Sequence, residues 1–246
     1  VKLHQINDRV HIVTGTNVNW ALISEGRDLT VVDAGYPNDS SALLESIAAI
    51  GHRVQDVQAV ILTHAHLDHF GGVPTLLAEH DVPVLTGVTE VSHAHRNYLE
   101  QITPVQMARL CAHRNGIVWV AQTLKAVVPH MNMAVNQASA VEDGVPLDIP
   151  GHPVPVATPG HTSGHTAYLL EETGVLFSGD ALVTDHPLLD GPPRPQLLPG
   201  FFSEDDDQCL ESIRTLVGLP ADLLVPGHGP EMHGEIAELV DTRKWT

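Results

Sequence analysis

The chain has 246 residues, 43% of them hydrophobic, which is enough to bury a full core in one large domain or two small ones. Its 12 basic and 30 acidic side chains leave a formal net charge of −18. So acidic a protein is unsuited to the phosphate backbone of nucleic acid, which basic side chains hold, and to anionic membrane surfaces. No apolar run approaches the ~20 residues that span a bilayer, and the opening VKLHQINDRV lacks the apolar core of a secretory signal. Two cysteines, Cys111 and Cys209, lie in predicted helices and form no disulfide framework. These features predict a cytoplasmic protein with free thiols.

Taken in chain order, β-rich runs predict a meander at Arg9–Gly15, Val18–Ser24 and Leu29–Asp33. Asn38 or Asp39 can cap a helix through Ile50, stopped by Gly51. The short apolar run Ala59–Leu62 suits a strand buried on both faces. Gly71 and Gly72 open a helix to about His80, and VPVLTG is another strand. From Val88 to about Met133 the pattern turns helical, with segments at Glu90–Gln101, Pro104–Asn115 and Ile117–Val128. Strand signals return at Val145–Asp148, Val154–Thr158, Thr166–Glu171 and Gly174–Phe177. After a Pro-rich irregular stretch, Ser203 can cap an acidic-fronted helix to Val217. Asp222–Val225 reads as the last strand and Glu231–Val240 as the last helix. Alternating strands and helices predict an α/β layered fold, one domain over residues 1–246 with a helical insert at about 88–133.

The stretch ILTHAHLDHF follows the buried strand and holds His64, His66, Asp68 and His69. Imidazole and carboxylate together suit Zn²⁺, Fe or Mn. One short motif cannot close a site, and three further candidates stand at strand ends: His161 in VATPGHTSGH, Asp180 in VLFSGDA and His228 in LLVPGHG. His93 and His95 imitate the His-x-His spacing without its Asp-His sequel and read as a solvated helix face. His165 reads as structural, and Asp33 as a buried hydrogen-bond partner of the ligand loop.

THAHLDH, PGHTSGH, SGD and PGHG in this order resemble the metallo-β-lactamase-fold hydrolases, of the glyoxalase II and lactonase-like branch. The resemblance covers nearly the whole chain and implies a four-layer αββα sandwich with a dinuclear centre at one edge of two sheets. Carried over by residue, it implies that His64, His66 and His161 hold one ion and Asp68, His69 and His228 the other, with Asp180 bridging. The implied cofactors are two zinc ions, with iron or manganese as alternatives. Two ions ~3.5–4 Å apart can share a hydroxide as nucleophile, and Asp68 can relay a proton to the leaving group.

The substrate expectation rests on features beside the motif. Asp180 is followed by Ala181, Leu182 and Val183, where acyl homoserine lactonases place a tyrosine, and it stands where the commonest zinc β-lactamases place a cysteine. The chain ends soon after His228, without the basic helical domain of glyoxalase II. Tyr98, Leu99, Trp119, Leu124, Met131 and Met133, with Leu188, Leu189, Phe201 and Phe202, predict an apolar lid or, for the insert, a homodimer interface. The expected substrate is a partly apolar carboxylic ester, lactone or thioester. The alternatives are a non-haem iron oxidoreductase of the persulfide dioxygenase type, a β-lactam hydrolase and a non-catalytic metal-binding protein.

Overall fold

The computed structural model describes residues 2–241; Val1 and residues 242–246 of the expected domain lie outside the described residues. Strands β1 (Lys2–Gln5), β2 (Val10–Thr14), β3 (Asn19–Glu25) and β4 (Asp28–Val32) run as an antiparallel meander. Strands β5 (Val57–Ile61), β6 (Val84–Gly87) and β7 (Ala138–Val141) extend this sheet in parallel. The second sheet contains β8 (Val154–Ala157), β9 (Thr166–Leu170), β10 (Val175–Gly179), β11 (Leu223–Pro226) and β12 (Met232–His233). Its spatial order is β12-β11-β10-β9-β8, parallel at β10/β11 and antiparallel elsewhere.

The period of two along each strand sorts side chains into layers. Val10 and Ile12, Ala21 and Ile23, Val175 and Phe177, Tyr168 and Leu170, and Leu223 and Val225 meet between the sheets. Their neighbours Trp20, Leu22, Leu29 and Val31 face the other way, against Leu43 and Ile47 of α1 (Ser40–Ala49) and Val73 and Leu76 of α3 (Val73–Glu79). On the far face, Ala167, Leu169, Leu176 and Leu224 pack on Ile213 of α7 (Asp206–Thr215) and Ile236 of α8 (Ile236–Leu239). Helices, two sheets and helices make the expected αββα sandwich. Central strands buried on both faces explain why β5 and β10 read as continuous apolar runs.

Between β6 and β7 the chain forms α4 (Glu90–Ala94), α5 (Pro104–Leu110) and α6 (Arg114–Val127). The short α2 (Leu67–Phe70) belongs to the motif loop. Because β6 and β7 pair in parallel, this helical segment is a crossover within the first sheet, rather than a spacer between two halves. Thr103 opens α5 with a reciprocal capping box to Gln106 and Pro104 in the first turn.

Several boundaries differ from expectation. The helix expected over Glu90–Gln101 stops at Ala94, because Arg96 takes a left-handed φ of 61°. That turn sends its guanidinium inward, to the carbonyls of Met133 and Ala65 and over the Phe70 ring. No strand forms at Val145–Asp148; the pairing edge is Ala138–Val141 instead. Asp205, not Ser203, caps α7 by accepting from the Gln208 N–H at 2.9 Å. The last helix shrinks to Ile236–Leu239, because Met232–His233 pairs with β11. Asp39 precedes α1 without capping it through its side chain, and its carboxylate accepts from Thr16.

Trp20 is 2% exposed and joins the first sheet to α1, its indole N–H donating to Ser46 Oγ at 3.2 Å. Trp20→Ala is expected to cost about 3–5 kcal/mol. Urea titration should show a lowered midpoint with an unchanged slope; an unchanged midpoint would remove Trp20 from the load between sheet and helix.

Candidate metal centre

All seven motif residues stand where strands of the two sheets end at one edge. β5 delivers His64 and His66 on the loop to α2, whose first turn brings Asp68 and His69 back to the same point. The turn between β8 and β9 carries His161, and Asp180 and His228 follow β10 and β11. Since β10 and β11 pair in parallel, Asp180 and His228 leave the sheet side by side. The Gly227 N–H donates to the Gly179 carbonyl at 2.8 Å, and Asn19 of β3 ties both ends of the His228 loop through Pro226 O and Gly229 O.

The donor atoms fall into three overlapping groups, each within 4.8 Å: His64, His66 and His161; His64, His69 and Asp180; and Asp68, His69 and His228. Asp180 stands between the outer trios. Its Oδ2 lies 3.1 Å from His228 Nε2, 3.4 Å from His161 Nε2 and 4.0 Å from His64 Nε2, while Oδ1 lies 3.4 Å from His69 Nε2. Asp68 is 3.6 Å from His228.

Outward nitrogens are held by the protein, which points the others inward. His64 Nδ1 meets Thr63 Oγ1 at 3.1 Å, His69 Nδ1 meets Asp33 Oδ2 at 2.8 Å, and His66 Nε2 and His228 Nδ1 meet the carbonyls of Glu100 and Asn17 at 2.5 Å. His161 differs, its Nδ1 having no partner among the described residues. Asp33 also takes the N–H and hydroxyl of Thr63, so one carboxylate orients the loop and a ligand, as the sequence predicts. Asp33 has a φ of 58°, a conformation Asp tolerates better than most residues.

The inward atoms fit a cation. His64 Nε2, His69 Nε2 and Asp180 Oδ1 are buried with no hydrogen-bond partner, a cost that buried polar groups rarely bear. Nitrogen and carboxylate oxygen donors suit a borderline divalent ion such as zinc. Burial pushes His64 and His161 well below the ordinary imidazole pKa and His66 down to about 4, which keeps them neutral as ligation requires. At His69 and His228 burial acts in the same direction, but nearby carboxylates, Asp180 first, reverse it. Burial would raise Asp180, yet the imidazoles of His228 and His69 hold it well below the usual carboxylate range.

A surrounding shell was not foreseen. Glu90, fully buried, accepts from the Ala65 N–H at 2.7 Å and from Thr162 Oγ1 at 2.8 Å, so it braces the loops carrying His64, His66 and His161. Its partner His93 is 0% exposed, which corrects the expectation of a solvated face. His95, half-buried, reaches the Ala138 carbonyl. Glu90 three residues before His93 on one helix was the available signal. The Glu100 carboxylate takes the N–H and hydroxyl of Ser163, tying the crossover to the His161 loop. His165 is structural as expected: it meets Thr158 at 2.8 Å and accepts from the Asp180 N–H at 3.0 Å.

A cavity of about 150 Å³ opens over the donors. Trp119, Leu124, Met131 and Phe202 line it, together with Ile102 and Met107, which the sequence did not single out. Tyr98 instead stacks on His93, Leu99 is exposed, and Met133 packs on the first-sheet core. Leu188 and Phe201 line a separate hollow.

The profile of the Metallo-beta-lactamase superfamily matches residues 13–228, spanning every one of these donors. The chain belongs to the metallo-β-lactamase superfamily. It is 31% identical over 224 residues to the "Probable metallo-hydrolase YflN" of Bacillus subtilis, covering 87% of this chain and 80% of that protein. It is 24% identical over 231 residues to the atrochrysone carboxyl ACP thioesterase of Aspergillus fumigatus, covering 92% of this chain and 56% of the thioesterase. Among solved structures it resembles BJP-1, a subclass B3 metallo-β-lactamase of Bradyrhizobium japonicum, with a TM-score of 0.68 at 18% identity over 100% of this chain and 91% of that one. The superfamily member described here is a metal-dependent hydrolase. Among the described residues no helix is long and apolar enough to cross a membrane.

A Cβ placed on Gly227 would lie 2.2 Å from Asp180 Oδ1 and 2.7 Å from His69 Cε1. Gly227→Ala should therefore displace the central carboxylate while leaving the sheets folded. Elemental analysis after zinc loading should give a metal content well below that of the unsubstituted protein, with an unchanged far-ultraviolet spectrum. Full metal content would show that Asp180 is not needed in this position.

Proposed function

We propose that this chain hydrolyses neutral carboxylic esters, lactones or thioesters with a partly apolar acyl portion, using two divalent ions, zinc in the first instance. In this reading His64, His66 and His161 hold one ion, Asp68, His69 and His228 the other, and Asp180 spans both. Divalent ions, when bound, supply Lewis acidity and make hydroxide available at neutral pH. The observation that carries the substrate class is the cavity wall: apolar and aromatic side chains line it over the donors, and no Lys or Arg is among the lining residues. A phosphate or carboxylate substituent would find no cationic partner other than an imidazole or the ions themselves. This disfavours phosphoesters and the carboxylate-bearing β-lactams. The thioesterase relative supports an acyl substrate.

The chain's own groups divide the remaining work. Asp68 is half-buried on the cavity floor, 3.6 Å from His228, where it can take up a proton and return it to the leaving group. Asp180 sets the spacing of the two donor sets. Trp119, Leu124, Met131 and Phe202 line the cavity and receive the acyl chain.

The test is a panel of neutral esters, lactones and acyl thioesters of graded chain length, assayed on zinc-loaded protein. Asp180→Ala should abolish turnover. Trp119→Ala should keep it and change the ratio of kcat/KM between short and long acyl chains by roughly tenfold, as loss of a hydrophobic contact does. An inert wild-type protein across all three classes would overturn the proposal. A flat ratio in Trp119→Ala, with a shift from dimer to monomer, would make the crossover helices a subunit interface instead of a lid.

A further inference from the structure

The loop after Asp180 carries an imidazole that no ligand group uses. His186 is 5% exposed and lines the cavity beside the proposed metal centre. Its ring lies 5.3 Å from that of His228 at 90°, 5.3 Å from Phe202 and 5.8 Å from Trp119. It thus stands where the metal-ligand floor meets the apolar wall. Its position is fixed from both sides of the sequence. Thr184 and Asp185 donate their N–H groups to the His228 carbonyl at 3.0 and 3.4 Å, and Asp185 Oδ1 accepts from the His186 N–H at 2.8 Å. Val183 pairs with Gln196 across the loop.

The ring's tautomer follows from one contact. The Leu188 backbone N–H points at His186 Nδ1 at 3.2 Å. A backbone amide can only donate, so Nδ1 accepts and carries no proton. The ring hydrogen therefore resides on Nε2. Nε2 has no hydrogen-bond partner among the described residues, although the ring lines the cavity. Nε2 is not among the fully buried unpaired atoms, so this N–H opens onto the cavity and is free to donate to an acceptor that arrives with the substrate.

We infer that His186 Nε2–H donates a hydrogen bond to the acyl oxygen of the bound substrate as negative charge develops on it. This rests on the proposed ester, lactone or thioester hydrolysis. A fixed donor costs no reorganisation when charge develops, so it strengthens toward the transition state. Neutral imidazole suits the task, because burial in the cavity wall disfavours a permanent charge.

His186→Phe keeps a planar ring and removes the donor, while His186→Gln replaces it with an amide N–H at similar reach. Three quantities are read on zinc-loaded protein: metal content, kcat and KM on the best ester of the panel, and affinity for a non-hydrolysable phosphonate analogue of that ester. The expected result is unchanged metal content, with kcat lowered about a hundredfold or more in His186→Phe and KM moved much less, the range seen when one oxyanion donor is lost. Phosphonate binding should weaken in parallel, and His186→Gln should recover part of both. Wild-type kcat and phosphonate affinity in His186→Phe would overturn the inference while leaving the hydrolase reading intact. Equal losses in the Phe and Gln variants would overturn it too, by making ring shape the determinant. A wild-type protein inert toward every neutral ester, lactone and thioester would defeat the reading beneath it, and so is separable from failure at His186.

Discussion

One carboxylate organises this molecule. Asp180 is 4% exposed, and the imidazoles of His228, His161, His69 and His64 stand 3.1 to 4.0 Å from its two oxygens. A buried charge surrounded by polar donors is tolerable only when it is matched. The matching is built into the fold, since those imidazoles come from the end of β5, the helix α2 that follows it, the turn before β9 and the end of β11, and all must meet at the same edge. The parallel pair β10/β11 and the Gly227 contact to Gly179 bring two of these ends together. Glycine at 227 leaves the room that the carboxylate occupies.

Around that centre, second partners decide which nitrogen of each ring faces inward. Asp33 fixes His69 and the Thr63 loop, and the carbonyls of Glu100 and Asn17 fix His66 and His228. Glu90 holds the two ligand loops to each other through Ala65 and Thr162. Three of these partners, Asn17, Glu90 and Glu100, come from a loop, a helix and a loop outside the motifs. The donors are therefore preorganised by groups of the first hundred residues that also hold the His161 loop and His228 of the second half.

The layering and the strand-end positions of the seven residues that meet at one edge were legible from local rules, and their grouping into one site from the resemblance to the metallo-β-lactamase fold. Strands buried on two faces appear as apolar runs, and polar residues that interrupt the chain directly after such runs must lie at a sheet edge. The rest depended on long-range closure. Glu90 and His93 look like the solvated face of a helix until the His161 loop covers them. His186 sits in a Pro-rich stretch with no periodicity, and only its contacts with Trp119, Phe202 and His228 give it a place. β7 has no alternation across its four residues and becomes a strand by pairing with β6, while Val145–Asp148 joins no ladder and its Leu147 N–H donates to the Pro153 carbonyl instead. The crossover helices split in the same way: Trp119, Leu124 and Met131 reach the cavity, whereas Tyr98 and Met133 serve the core and its rim.

The proposed centre has two ion positions joined by Asp180. It is tested most directly by an anomalous-scattering map from crystals grown with zinc, collected on both sides of the zinc edge. A dinuclear centre gives two peaks in each molecule, one among His64, His66 and His161 and one among Asp68, His69 and His228, both touching the Asp180 carboxylate. A single peak, or two peaks of which either lies away from Asp180, would contradict it.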